Sequence, residues 1–323
     1  MSAHMRVFCL AVLMVWSALG CEQRSDRSNP QNEPPNPNAL SESSGAAPSS
    51  DDTPPAGRRA QRIVSFVPAL TEIAFDMGLG PRIVGVSDFA THPPDVKALT
   101  RVGGLLNPNL EQALALNPDL LLSSPSNSSV LELAKAQSIP VVLSPTNTVE
   151  DIYAAYTALG QATGMERQAN AAQTALRRTL EGMATPGQAR PRVLLVIGRE
   201  PGSLKGLYAA GQGSFLDQLL VLAGGQNALP KTAQAWPAIS KEFVLAHPPE
   251  WIVEFDTSAN ADPKTETRKA REVWKGMPTL EAVRAGRIHR LVGNHLLLPG
   301  PRAVQTVRDI RAVLMEEGRG EKR

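Results

Sequence analysis

Residues 109–122 read NLEQALALNPDLLL, and residues 240–253 read SKEFVLAHPPEWIV, 131 positions further along the same chain. Each stretch has an acidic residue near the start of a short helical segment, Glu111 in the first and Glu242 in the second. Each helical segment ends near a proline, and a continuous apolar run of buried-strand type follows. Because a unit repeated in one chain usually folds the same way twice, the repeat predicts two similar α/β lobes. Ligand sites favour clefts between domains, so we expect a small molecule between the lobes.

Strand and helix signals alternate on both sides of this repeat. In the first half the predicted strands and helices occupy residues 62–66, 69–77, 83–86, 111–116, 120–122, 130–137 and 141–143. In the second half they occupy residues 192–197, 215–222, 242–246, 251–255, 288–292 and 302–316. Such alternation across short loops predicts parallel sheets, so the expected fold class is α/β.

The segment between the two halves has a helical pattern. It contains no proline, its apolar residues recur at helical spacing, and Thr148 with Asp151 forms a capping pattern at its start. A single backbone helix of roughly 54 Å is expected, with Gly160 and Gly164 as points where it can bend. A stiff connector of this kind restricts hinge closure between lobes. The predicted divisions are an N-terminal lobe at 61–147, the helix at 148–185 and a C-terminal lobe at 186–323.

The N-terminus has the features of an export signal. Arg6 precedes an apolar run at 7–19, which is shorter than the ~20 residues of a membrane-spanning helix and has the length of a signal peptide. Small residues then lead to Cys21, as at a bacterial lipoprotein cleavage site, so residues 1–20 are the predicted signal peptide and Cys21 the predicted lipidation site. The alternative is an ordinary secretory signal in which Cys21 is incidental. With only 2 cysteines in the chain, a disulfide framework is excluded.

Residues 21–60 differ in composition from the rest of the chain. They are rich in Ser, Pro, Asn, Asp and Glu and almost free of large apolar side chains. Such a segment buries too little surface to offset its ordering entropy, which predicts a disordered tether behind the lipidated cysteine.

The chain has a net charge of +2 and no run of Lys and Arg residues, so nucleic acid is not an expected partner.

Five stretches together resemble one protein family: RIVSFVPALTEIAFDMGLGPRIVGVSDF, HPPDVKALTRVGGLLNPNLEQALALNPDLLL, SFLDQLLVLAGGQNAL, WPAISKEFVLAHPPEWIV and PGPR. They are similar to the class III, helical-backbone substrate-binding proteins that serve ABC importers for cobalamin, haem and ferric siderophores. Residues 102–122 and 236–253 look most like the cobalamin-binding branch. The resemblance implies two α/β lobes bridged by a backbone helix, with the ligand between them and little movement on binding.

The resemblance also assigns a role to the repeated acids. In the family, one glutamate on each lobe pairs with arginines of the membrane permease, and Glu111 and Glu242 match those positions. Two carboxylates on separate lobes make a two-point electrostatic template that fixes orientation. The alternative is that each glutamate only favours the positive end of its helix, worth about 0.3–1 kcal/mol.

Several residues are expected at the ligand by the same resemblance. Trp236 matches an aromatic residue that packs on the corrin, and Phe89 matches a second one at the pocket rim, while two further aromatic positions of that branch are Leu105 and Ser124 here. The remaining candidates lie in loops expected to face the groove: His92, Arg199, Tyr208, Asn294 and His295. Either His92 or His295 is a candidate axial ligand for cobalt or iron. Ordinary solvated or edge-filling side chains are the alternative for all of these.

An enzyme and a free-standing binding protein are the competing hypotheses. Glu254 and Asp256 end a predicted strand on the same face and form a candidate acid/base pair, but no nucleophile elbow, phosphate loop, dinucleotide motif or zinc-site spacing occurs. The expected function is therefore capture of cobalamin or a related corrinoid by an extracytoplasmic lipoprotein, periplasmic or at the cell surface. A haem or ferric siderophore receptor, or a scavenger without a transporter, are the alternatives. The expected partners are a permease dimer with its ATPase, the chelate and a membrane. We expect the protein to be a monomer. No cofactor is expected, because the chelate is the transported cargo.

Overall fold

The computed structural model describes residues 59–144, 147–184, 189–231, 234–258 and 261–315. The predicted signal peptide, Cys21 and nearly all of the predicted tether lie outside these residues. Within the described part of the chain, no helix is both long enough and apolar enough to cross a lipid bilayer.

Lobe 1 is a parallel sheet of five strands with three helices. Strands β1 to β5 are Ile63–Ser65, Ile83–Val86, Thr100–Arg101, Leu120–Ser123 and Val141–Leu143. Helices α1 to α3 are Pro68–Asp76, Leu110–Ala115 and Ser128–Gln137. The strand order is β3-β2-β1-β4-β5, and every residue of β1 and β4 is buried, as expected for parallel strands covered on both faces. The strands and helices predicted for this half are confirmed, and β3 and two short 3-10 helices, Gly80–Arg82 and Pro94–Ala98, are additional.

The connector consists of two helices, α4 at Val149–Thr163 and α5 at Glu166–Glu181. They run antiparallel, since Glu150 near the start of α4 pairs with Arg177 near the end of α5 at 3.1 Å. The prediction of one long backbone helix is therefore wrong, although both halves are helical. The break has a local cause: Gly164 has a φ of 66°, a left-handed conformation that ends α4, and the chain then folds back.

Both connector helices extend between the lobes. At the start of α4, the Val149 N–H donates to Gln218 Oε1 in the second half of the chain at 2.7 Å. At its end, the Thr163 carbonyl accepts from Arg82 Nη1 of lobe 1 at 3.1 Å. Just after α5, the Met183 carbonyl accepts from Arg311. At 1.5 Å per residue, α4 and α5 are about 22 and 24 Å long, so a short helical pair braces the lobes in place of one long rod.

Lobe 2 is a mixed sheet of six strands. Strands β6 to β11 are Arg192–Gly198, Leu207–Ala209, Gln226–Asn227, Ala238–Ile239, Trp251–Asp256 and Ile288–Val292. Helices α6 to α10 are Phe215–Ala223, Lys241–Ala246, Pro263–Trp274, Glu281–Arg284 and Ala303–Met315. The strand order is β11-β10-β6-β7-β9, and β8 also pairs with β6. The prediction of two parallel sheets is wrong for β7, which is antiparallel to both β6 and β9. Residues 199–206 are too few for a parallel crossover, which needs a dozen or more residues, so the chain reverses into β7.

One apolar core runs through the whole molecule. A single cluster of buried side chains includes β1 and α1 of lobe 1, both connector helices, and β6, α6 and α10 of lobe 2. Each lobe also has one smaller apolar cluster, on the outer face of its sheet. Since apolar contact is continuous from lobe to lobe, we expect the lobes to move little relative to each other.

Candidate functional site

The two predicted docking acids lie on equivalent exposed helices. Glu111 and Glu242 are both exposed, and each is the second residue of a six-residue helix, α2 and α7 respectively. Asn109 caps α2 by accepting from the Gln112 N–H at 2.9 Å, and Ser240 caps α7 by accepting from the Phe243 N–H at 3.1 Å. Similar helix caps therefore place one exposed carboxylate at the same position on each lobe.

Glu242 is also held in its ionised form by its surroundings. Hydrogen bonds from its own backbone N–H and from the Ser240 hydroxyl hold the pKa of its carboxyl below the usual range. A carboxylate in that state presents a full negative charge to a cationic partner at neutral pH.

The second acid of each repeat has a structural role. The Asp119 carboxylate accepts from the backbone N–H groups of Gln61 and Arg62, at 2.8–3.0 Å, just before β1. The Glu250 carboxylate accepts from the Arg192 N–H at 3.0 Å, at the start of β6. Asp119, just before β4, therefore fixes the start of β1 in lobe 1. Glu250, just before β10, fixes the start of β6 in lobe 2 in the same way. The repeat seen in the sequence is thus a repeat in three dimensions.

Two predicted ligand residues of lobe 2 lie close together in its antiparallel part. Tyr208 in β7 is the register partner of Ala238 in β9, two residues after Trp236. Both aromatic side chains are half-buried and pack against the main apolar core. They are placed as a pair of partly accessible aromatic faces in lobe 2.

Two predicted ligand residues of lobe 1 lie in the loop that follows β2. Phe89 is half-buried, its N–H donates to Ser87 Oγ at 3.3 Å, and its ring lies directly against Gly104. His92 follows in the same loop and is exposed. Leu105 and Ser124, where aromatic residues were expected from the resemblance, are half-buried.

Arg199 is buried in lobe 2, where it forms an ion pair with Glu254. Its guanidinium makes two hydrogen bonds to the Glu254 carboxylate, at 2.8 and 3.1 Å, and its side chain is only 6% exposed. Trp274 Nε1 donates to the same carboxylate at 2.7 Å. Arg290 lies 3.5 Å from Asp256, so both acids of the candidate acid/base pair are held in ion pairs. The two acids do share one face, as the strand spacing predicted, but as parts of a buried ion network.

His295 is likewise engaged within lobe 2. Its side chain is buried and Nε2 lies 2.7 Å from Asp309 Oδ2 in α10. The predicted axial ligand His295 therefore has one ring nitrogen in contact with a carboxylate of lobe 2. His92, which is exposed, keeps its position as a candidate.

Asn294 contacts lobe 1 directly. Its Nδ2 donates to Thr91 Oγ1, next to His92, at 2.6 Å, and its Oδ1 accepts from Arg302 Nη1 at 2.7 Å. The Arg302 guanidinium also grips both carboxylate oxygens of Glu72 in α1, at 2.5 and 2.9 Å. A polar chain of four side chains thus joins the lobes.

The roles of Glu72, Thr91 and Arg302 were not foreseen from the sequence. One signal was present: Glu72 lies among Ala69, Leu70 and Ile73 in an apolar helix, where a buried carboxylate requires a cationic partner. Its partner is 230 positions away, so the pairing itself leaves no local trace.

Two surface depressions of about 670 and 300 Å³ lie along the connector rather than at the predicted ligand residues. The larger is lined by α1, α5 and the start of α10, and the smaller by α4, α5 and α6. None of the predicted ligand residues lines either one.

The protein thus has two α/β lobes, a helical pair that joins them and one exposed carboxylate at the equivalent position of each lobe. A family model described as periplasmic binding protein matches residues 63–292, more than two thirds of the chain. The chain belongs to the periplasmic binding protein family, and the resemblance to its class III members is confirmed.

Individual relatives carry more specific descriptions. A vitamin B12-binding protein of Pectobacterium carotovorum is 31% identical over 199 residues, which cover 60% of this chain and 70% of that protein. A Bacillus subtilis protein described as an uncharacterized ABC transporter substrate-binding lipoprotein is 24% identical over 260 residues. The match covers 77% of this chain and 78% of the Bacillus subtilis protein. The crystal structure of a periplasmic haem-binding protein of Pseudomonas aeruginosa is 28% identical with a TM-score of 0.67, covering 78% of this chain and 92% of that one.

Proposed function

We propose that this chain is an extracytoplasmic solute-binding lipoprotein of an ABC importer, which captures cobalamin or a related corrinoid between its lobes. The observation that carries the importer role is the pair Glu111 and Glu242, one exposed carboxylate at the same place on each lobe. Two fixed charges on two lobes can orient the protein on a permease dimer that presents arginines at both points. Anchoring to a membrane through Cys21 is part of the proposal, supported by the lipoprotein description of the Bacillus subtilis relative.

The choice of a corrinoid rests on two supports. The relatives with 30–32% identity include several vitamin B12-binding proteins. Trp236 and Tyr208 supply half-buried aromatic faces of the kind that pack on a flat macrocycle. No chemistry on the ligand is proposed, because Glu254 and Asp256 are held in ion pairs.

A haem or ferric siderophore is the second candidate cargo. It is favoured by Leu105 and Ser124, which take the place of two aromatic residues and reduce the stacking surface for a corrin. Haem shares the flat face and adds carboxylates. Exposed His92 offers either metal an axial nitrogen.

Titration of the purified chain with cyanocobalamin, haemin and a set of ferric siderophores tests the proposal. Saturable binding of cyanocobalamin, read from its absorbance bands and from tryptophan quenching, is the expected result. Saturable binding of haemin or a siderophore instead would replace the cargo and keep the receptor role. Binding without permease-dependent uptake would turn the proposal into a scavenger.

The Trp236→Ala variant locates the ligand. Loss of a stacked indole should raise the Kd of the bound chelate roughly tenfold, about 1.4 kcal/mol, with little change in Tm because the side chain is only half-buried. Trp251→Phe is the matched control, since Trp251 is buried against His289 in the sheet of lobe 2. An unchanged Kd in Trp236→Ala would remove this residue from the site.

A further inference from the structure

Four side chains form a polar chain that joins the two lobes directly. Glu72 and Thr91 belong to lobe 1, and Asn294 and Arg302 belong to lobe 2. Arg302 is the centre of this chain because it contacts both Glu72 and Asn294. No predicted role in docking or ligand contact accounts for Glu72 or Arg302.

The Glu72 to Arg302 pair is buried and directional. Glu72 is 4% exposed, and the Arg302 side chain is 16% exposed. A two-pronged contact between a guanidinium and a carboxylate fixes both distance and angle, whereas the apolar contacts around it have no preferred direction. A buried glutamate left without its arginine is strongly unfavourable, so the paired arrangement is enforced.

Three attachments therefore fix one lobe against the other. The connector helices supply the first, the Arg302 contact to α1 supplies the second, and the Asn294 contact to Thr91 supplies the third. Thr91 follows β2, and Glu72 lies in the helix that follows β1, so the two polar contacts grip different parts of lobe 1. Separate contact points resist rotation as well as separation of two rigid bodies.

We propose that Arg302 is a positioning residue that sets the spacing between the docking carboxylates Glu111 and Glu242. The inference rests on the proposed function in so far as these carboxylates are the docking points. A receptor that meets a permease at two charges needs the distance between those charges to be held before contact, because each must find its partner at once. Arg302 holds that distance by locking α1 of lobe 1 to the start of α10 in lobe 2.

Distance measurement between spin labels tests this role. Ala115 and Ala246, the exposed last residues of the two docking helices, are equivalent positions of the repeat. The labels are placed by Ala115→Cys and Ala246→Cys in the full chain with Cys9→Ser and Cys21→Ser. With Arg302 present, one narrow distance distribution is expected. With Arg302→Ala, the mean should move by more than ~2 Å or the distribution should broaden clearly.

Two further substitutions separate positioning from simple stability. Arg302→Lys keeps the charge but loses the two-pronged contact, so an intermediate distribution is expected. Glu254→Gln is the matched control, since Glu254 is an equally buried glutamate gripped by an arginine, but within lobe 2. It should lower Tm and leave the distance unchanged. If Arg302→Ala fails to fold, Glu72→Gln takes its place, because glutamine keeps the size of the side chain and removes its charge. The same change in the distance distribution is then expected, a shifted mean or a greater width.

The outcome that overturns the proposal is a lower Tm in Arg302→Ala or Glu72→Gln with the original distance distribution intact. The distances are measured without permease or ligand, so they are independent of the proposed function. If the distances change but Glu111→Ala with Glu242→Ala leaves uptake intact, the docking role fails and Arg302 remains the residue that spaces the lobes.

Discussion

Lobe 1 and lobe 2 start from the same unit and then diverge after their first strand. In lobe 1, β1 has three residues and α1 begins at Pro68, almost directly after it. In lobe 2, β6 has seven residues, and the antiparallel strand β7 intervenes before α6 begins at Phe215. The first strands begin 129 positions apart, whereas the helices that follow them begin 147 positions apart.

This difference separates the features that both lobes share from those that only lobe 2 has. The proposed docking helices and the strand-fixing acids occur in both lobes, so they belong to the part of the unit that is repeated. The extra segment of lobe 2 carries Arg199 and Tyr208, and it has no counterpart in lobe 1. Lobe 2 thus acquires its own buried ion network and its own aromatic face.

The largest expected effect tests the feature that the lobes share. Replacing both Glu111 and Glu242 by alanine should abolish permease-dependent uptake, because both charge contacts are lost, while the Kd for the ligand stays nearly unchanged. Each single variant should retain part of the uptake, and the two should be similar, since the helices are equivalent. Uptake of labelled ligand by cells and titration of the purified variants are the measurements.

Glu132→Ala is the control for this pair, because Glu132 is an exposed glutamate of α3 outside the repeat. It should leave uptake unchanged. A large loss in one single variant with none in the other would show that docking uses one lobe, and a raised Kd in the double variant would place these acids at the ligand.

A smaller effect distinguishes the strand-fixing acids of the two lobes. Asp119 accepts three hydrogen bonds from two backbone N–H groups, whereas one such bond to Glu250 is present. We expect Asp119→Ala to lower the free energy of unfolding by about 1–2 kcal/mol and Glu250→Ala by roughly half as much. Urea denaturation measures both, with Glu132→Ala expected to remain within about 0.5 kcal/mol of the parent. Equal losses would mean that the two acids are equivalent in strength as well as in position.

Sequence patterns were sufficient for most regular elements of the fold, but helices α8 and α9 of lobe 2 were not predicted. β1, β4, β6 and β10 each contain a continuous apolar run, and Gly78 and Gly224 follow closely after α1 and α6, so both types of signal are local. Strands β7, β8 and β9 have two or three residues and depend on distant partners, and they were missed. The break between α4 and α5 was anticipated only as a bend, because apolar spacing resumes after Gly164 and a helical hairpin has the same periodicity as a single helix.

The sequence pointed to candidate site residues only where it repeats or where an aromatic residue lies in a loop. The resemblance placed Glu111 and Glu242, and the structure puts both on exposed helices. It did not foresee that Arg199 and His295 are taken up by Glu254 and Asp309, because a partner 55 or 14 positions away is invisible to local patterns. These ion pairs form because the folded lobe brings the side chains together, and a buried charge requires a partner of opposite charge.

The smallest expected effect concerns the capping serine of lobe 2, for which lobe 1 has Asn109 instead. The Ser240 hydroxyl helps to hold the pKa of Glu242 below its usual range, after the larger effect of the Glu242 backbone N–H. Ser240→Ala should therefore raise the Glu242 pKa part of the way back, measured by carboxyl carbon NMR across a pH titration. A lowered pKa in the folded state means that this interaction stabilises the fold above the pKa of the unfolded chain and is lost as pH falls through the folded value. Asn109→Ala, in the other lobe, should leave the Glu242 pKa unchanged. A Glu242 pKa unmoved by Ser240→Ala would assign the whole shift to the backbone, and the two docking helices would then differ in cap residue without differing in how they hold their charge.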